Sequence, residues 1–314
     1  MLQKIKNNFV RLSIFISLIG FSYVSLAQNS VNVITNMKSN VQTDYMSGLL
    51  KLALSYSDKN YKYSTTNEVY SRPRVMESLL SGDISVMWGG TSEQMESNFI
   101  PIRIDAYRGL MNHRLMFIRA GDQARFDQVN SLEDLRSIRF GQGRSWSDAK
   151  ILEASGLQVV KATKKQSLYY MLDGSRFDAF PRGANEVWTE LAAFPDLPLT
   201  VEKSLVILYP LPTYFFVSPK QPALAKDLEA GLEAAIKDGA FDKYFFGSSE
   251  VMDTLKQANF NNRRIIRIPN PFLPKNTPPE RSDLMLDLTK ISLDDALATK
   301  SPSPEPVQEL LLEE

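Results

Sequence analysis

The chain has 314 residues, 43% of them hydrophobic, with 36 basic residues against 36 acidic ones. That balance gives no electrostatic reason to expect nucleic acid or an anionic membrane as partner. The absence of cysteine excludes disulfide staples, thiolate metal sites and a lipid attachment site, and a single histidine excludes any site that needs two.

Residues 1–27 read as a secretory signal: Lys4, Lys6 and Arg11 make a positive start, LSIFISLIGF an apolar core, and Ser25-Leu26-Ala27 a small-residue cleavage pattern. The apolar run is shorter than the roughly 20 residues of a membrane span. The expectation is a mature periplasmic chain from Gln28, with an uncleaved anchor as the alternative.

Strand-like and helix-like segments then alternate, as in an α/β fold with mainly parallel pairing. VNVIT (31–35), YKYSTT (61–66) and ISVMWGG (84–90) read as strands, DYMSGLLKLALSYS (44–57) and RVMESLLSG (74–82) as helices, the second closed by Gly82. Right-handed crossovers place the three strands in one sheet. After LMNHRLMFI (110–118), a capping box of Ser131 and Asp134 opens a short helix in SLEDL. IRFGQG (138–143), LQVVKAT (157–163) and FDAFPRG (177–183) alternate with helical SWSDAKILEASG (145–156), QSLYYMLDGSR (166–176) and NEVWTELAAF (185–194). LTVEKSLVILYP (199–210) and TYFFVSP (213–219) read as strands, and 222–246 as a helix pair broken at Asp238-Gly239. Prolines crowd the remainder, so 269–314 is expected to be a largely disordered tail.

Four segments in this order carry a resemblance: LLSGDISVMWGGTSEQMESNFIPI, SLEDLRSIRFGQGRS, LDGSRFDAF and DLEAGLEAAIKDGAFDKYF. Over about residues 31–260 the chain resembles type II periplasmic solute-binding proteins, in particular extracellular solute-binding family 3. The resemblance implies a monomer of two lobes joined by two crossing strands, with lobe 1 made of 28–113 plus 209–268 and lobe 2 of 114–208. It implies a small-molecule ligand trapped in the cleft by hinge closure and presented to an ABC permease or a membrane sensor, with no cofactor and no metal. Where family members grip an amino acid's carboxylate with arginine this chain has Gln94, and Gly183 stands about where an aspartate grips the ammonium. An ordinary α-amino acid is therefore not the expected ligand.

Arg182, where a strand empties into a turn, either presents a bidentate fork to an anion or is a solvated turn residue. Arg144 carries the same two readings, and Ser145 is a ligand contact or only a helix N-cap. Trp88 and Trp146 make an aromatic wall or core. Gly90 and Thr91 belong to a turn whose glycines let backbone approach a ligand closely. Arg72 and Arg74 either face solvent or add positive potential at the cleft mouth. His113, Asp178 and Trp188 read as structural. Two other functions stay open: a dehydratase-like enzyme on the same fold, with Glu186 as the candidate acid, and an envelope interaction protein with a vestigial cleft.

Overall fold

The computed structural model describes residues 30–36, 41–278, 281, 284–288, 290 and 291. The expected signal segment and residues 292–314 lie outside the described residues. No helix among those described is long and apolar enough to cross a membrane.

The first group of elements is β1 (Val31–Thr35), α1 (Val41–Leu54), β2 (Tyr61–Thr65), α2 (Arg72–Ser81), β3 (Val86–Gly90), α3 (Glu93–Asn98) and β4 (Ile100–Ile102). β1 and β2 pair in parallel. Ser85 stitches β3 to β1, its N–H donating to the Ile34 carbonyl at 2.8 Å while its Oγ accepts from the Ile34 N–H at 3.0 Å. α2 ends where predicted, at Gly82 with φ 93°, a conformation that only glycine adopts without strain.

β5 (His113–Arg119) crosses into a second group: α4 (Gln123–Asp127), α5 (Leu132–Leu135), β6 (Arg139–Gly143), α6 (Ser147–Ala154), β7 (Gln158–Ala162), α7 (Lys165–Asp173), β8 (Phe180–Gly183), α8 (Val187–Ala192), β9 (Leu199–Val201) and β10 (Leu205–Leu208). The capping box at Ser131 and Asp134 is present. β5 pairs antiparallel with β8, β9 and β10, and a bridge from Phe140 to Ala179 joins the parallel β6–β7 pair alongside β8. The chain then returns through β11 (Thr213–Val217), which pairs antiparallel with both β3 and β4. It continues into α9 (Pro222–Lys237), α10 (Ala240–Gly247), α11 (Ser249–Ala258) and β12 (Arg264–Arg267), with the expected break at Gly239, φ 83°. α1 and α9 approach so closely that a Cβ at Gly231 would lie 1.9 Å from the Ala53 carbonyl oxygen.

Several expectations need correction. β3 is in a sheet with β11 and β4 and not in one sheet with β1 and β2, and antiparallel pairings outnumber parallel ones among the described residues, because the crossing and return strands run against their neighbours. The single strand predicted over 199–210 is two, because Glu202 folds inward between β9 and β10. Its buried carboxylate accepts from the Ser204 and Leu205 N–H groups, both at 2.7 Å. The end of the range expected for lobe 1 belongs elsewhere, since β12 pairs in parallel with β10 of the second group. The proline-rich stretch is not free chain where it is described: Leu284 and Leu288 are buried, Arg281 pairs with Glu233 at 2.7 Å, and the Leu286 N–H donates to the Arg108 carbonyl at 3.1 Å. Leu284 and Leu288, four residues apart, join the main core and pack this segment against it.

Candidate functional site

A cavity of about 450 Å³ lies between the two groups of elements. Its first wall is the end of β3, with the start of α2 beside it; its second is the β6–α6 turn and the exit of β8. The floor comes from β5 and the return crossing. The cavity continues outward into a chamber of about 690 Å³, and Arg72, Ser145, Trp146 and Ser147 line both.

On the first wall, Trp88 is half-buried and stands edge-on to Phe215, with ring centroids 6.2 Å apart. Beside it Gly89 leaves space for the Arg72 guanidinium, whose Nη1 lies 3.5 Å from where a Cβ would sit. Pro73 pre-sets the first turn of α2, and Arg72 is that helix's first residue, so it is carried at the cleft edge. Arg72 has no ion pair or hydrogen bond among the described residues. Its surroundings push its pKa down through desolvation, against a weaker opposite pull from Asp148. Gly90 is backed by Leu211. Thr91 is buried and its hydroxyl donates to Glu96 Oε1 at 2.7 Å, so it lines the outer chamber with its hydrogen already committed.

The second wall is organised differently. Arg182 does line the cavity, but its fork is filled: Nε and Nη2 donate to the two oxygens of Glu190, each at 2.8 Å, and Nη2 also donates to Glu186. Its guanidinium lies 4.7 Å from the centre of the Trp146 ring, which stacks in turn on Phe180. A side chain at Gly143 would put its Cβ 2.3 Å from that indole, so glycine is required under it. Glu190 also accepts from Tyr169 at 2.6 Å and Lys165 at 2.8 Å. Burial opposes its ionisation, but Arg182 and Lys165 outweigh burial and hold it at about 2. Glu186, by contrast, is pushed up, first by burial and further by Glu190, against the pull of Arg182. Its other oxygen accepts the Gly183 N–H at 2.8 Å. A Cβ at Gly183 would lie 2.6 Å from Met111 Sδ and 3.1 Å from that oxygen, which explains why no larger side chain stands there.

One expected contact is displaced, and another keeps its place without the capping role. Arg144 is exposed and lines neither chamber; only its backbone is used, its N–H donating to Ala162 at 2.9 Å. Ser145 does line the cleft, but the N-cap position of α6 is Trp146, not Ser145. His113 hydrogen-bonds through Nδ1 to the Gly109 carbonyl at 2.9 Å, and burial lowers its pKa to about 4. Asp178 receives Arg139 and Arg125, as a structural residue does.

The floor holds groups that the sequence reading passed over. Arg114 of β5 is 3% exposed, and its Nε donates to Asp148 Oδ1 at 2.9 Å and to the Tyr209 hydroxyl at 3.0 Å. Its Nη1 is buried with no partner among the described residues. Behind the β8–α8 turn, Asn185 donates to Glu250 of α11 at 2.6 Å, tying the two walls together. Burial raises Glu250 to about 7. An arginine inside the apolar run LMNHRLMFI was the available signal for Arg114, because a strand of that composition is buried and a charge on it must find partners. Glu186 and Glu190, four and eight residues after Arg182, were the signal for its ion pairs.

No family model matches the chain, and no curated protein matches it. Solved structures do. The probable amino-acid ABC transporter extracellular-binding protein ytmK from Bacillus subtilis is similar over 70% of this chain and 97% of its own, at 15% identity and a TM-score of 0.53. A substrate-binding protein of an amino acid ABC transporter, AbpA from Streptococcus pneumoniae, bound to L-arginine, covers 70% and 94% at 13% identity and a TM-score of 0.49. An ancestral amino acid-binding protein described as a precursor of cyclohexadienyl dehydratase covers 70% and 95% at 14% identity and a TM-score of 0.47. The first likeness establishes the fold, a two-lobed periplasmic-binding-protein architecture; no argument rests on the other two.

Proposed function

We propose that a chain with this two-lobed fold is a periplasmic solute-binding protein that closes on a small organic anion and presents it to an ABC importer or a membrane sensor. In this reading residues 28–113 with 209–263 form one lobe, and 114–208 with the strand Arg264–Arg267 the other. The observation that carries it is Arg72, a cation facing the cavity with no hydrogen bond or ion pair among the described residues. Around the cavity Arg114 is matched by Asp148, and Arg182 and Lys165 by Glu186 and Glu190. Within the inner cavity one positive charge is left over, so a monoanion at Arg72 neutralises it, while Glu77 and Glu93 stand against Lys150 in the outer chamber.

A guanidinium binds a carboxylate through two parallel charge-assisted hydrogen bonds. The unpartnered Nη1 of Arg114 offers a further donor from below, and Trp88 and Trp146 line the cavity on either side. Such a ligand touches both walls only when they are close together, so its binding free energy favours the closed arrangement, which the membrane partner then reads. The test is thermal stabilisation of the purified protein across a panel of carboxylates, phosphate esters, amino acids and cations. Stabilisation by monoanions, with the ligand recovered chemically unchanged, is the expected result; stabilisation by cations alone would overturn the reading. One observation favours an enzymatic alternative, the Glu186 carboxyl in the cleft with its pKa pushed up by burial. Turnover of a bound acid, lost in Glu186→Gln, would replace binding with catalysis.

A further inference from the structure

We propose that the ligand is an elongated amphipathic acid, with its anionic group at Arg72 and an apolar body lying outward along α2. The inference rests on the reading of the cleft as an anion site and adds the class of acid. Arg72, Met76 and Leu80 follow each other at four-residue spacing, so they share one face of α2. All three line the outer chamber, and Arg72 also lines the inner cavity. Eight residues of helix span about 12 Å, so the stripe begins with a cation and runs two turns farther as apolar side chains.

The C-terminal segment adds one large apolar side chain, Phe272, to the same chamber. Asn270 donates through Nδ2 to the Pro210 carbonyl at 2.8 Å and accepts the Phe272 N–H at 3.0 Å, which fixes Phe272 beside the return crossing. Leu80 is 42% exposed and Phe272 45%, two of the few large apolar side chains left to water, and both face this one chamber. Large apolar groups left open around a single concavity mark a ligand or partner surface. A compact acid would fill only the inner cavity and leave the stripe wet. An acid with a long apolar body covers Met76, Leu80 and Phe272 while its head reaches Arg72. Glu77, Glu93 and Lys150 line the chamber as well, two carboxylates against one ammonium, which disfavours a second anionic group on the ligand.

The experiment is calorimetric titration of the full mature chain with straight-chain monocarboxylates from acetate through butanoate, hexanoate and octanoate to decanoate. Affinity is expected to rise with length, by up to about fourfold per methylene buried, and to level off once the chain passes Leu80. Leu80→Ser and Phe272→Ala are expected to flatten that dependence on length; both sites are exposed, so the fold survives. Acids that bind with affinity independent of length, or a length dependence unchanged in both variants, would overturn the inference while leaving the anion site standing. Failure of every acid to bind a protein that is folded by circular dichroism would overturn both.

Discussion

Arg182 and Arg72 stand on facing walls of one cavity and are solvated in opposite ways. Arg182 is surrounded by its own chain: Glu186 and Glu190 follow it at helical spacing, and Trp146 lies under its guanidinium. Arg72 has a glycine beside it and an open chamber in front. The first arginine is a structural bolt that fixes the aromatic wall, and the second, in the proposed reading, is open to an external anion. What separates them is the company each keeps, since both sit where a sequence reading looks for ligand contacts.

The comparison makes its largest prediction for stability. Removing one partner from a buried ion pair leaves the others uncompensated, at a cost of about 3–5 kcal/mol. Arg182→Ala is therefore expected to lower the unfolding free energy by that amount in urea titrations, because Glu186 and Glu190 keep their burial and lose their cation. A loss of under about 1 kcal/mol, as exposed pairs give, would mean that the two arginines do not differ in the way described. Arg72→Ala is expected to do the reverse. With no protein partner to abandon, it should change stability by no more than about 0.5 kcal/mol, yet lower affinity for a monocarboxylate about tenfold or more, since a hydrogen bond to a charged group is worth about 1.5–3 kcal/mol. A variant that binds acids as tightly as the parent would remove Arg72 from the site.

Much of this architecture was legible. Period and punctuation placed most strands and helices, though not α3, α4, α11, β4 or β12, together with the capping box at Ser131 and the breaks at Gly82 and Gly239, because those features depend on residues close in sequence. Strand ends also drew attention to Trp88, Gly90, Ser145 and Trp146, which line the cavity. What escaped depends on distant partners. Nothing in RIIR says that it will pair with residues 205–208. Nothing in the proline-rich stretch says that Leu284 and Leu288 will find the core. Arg182 is the instructive case, because its position was read and its two carboxylate neighbours were in plain sight at i+4 and i+8. An arginine's availability has to be judged after its local acids are counted.

The walls meet again at Asn185 and Glu250, and there the contrast predicts an effect spread over pH. Glu190 is held low because two cations face it, whereas Glu250 meets only the amide of Asn185 and the hydroxyl of Tyr107, with Glu186 and Asp44 adding repulsion. Burial therefore dominates and lifts Glu250 to about 7, above the ordinary value of 4.5. The folded chain keeps this proton where the unfolded chain has released it, so stability falls as pH rises from about 4.5 to about 7 and then levels, with a slope of at most about 1.4 kcal/mol per pH unit from this group. Asp105, raised by burial to about 6, slopes the same way, so the measurement must be a difference. Glu250→Gln keeps an acceptor for Asn185 and cannot ionise. Subtracting its unfolding free energy from that of the parent across this range should isolate the decline; parallel curves would show that Glu250 ionises at its ordinary pH and that the contact between the walls is open to water.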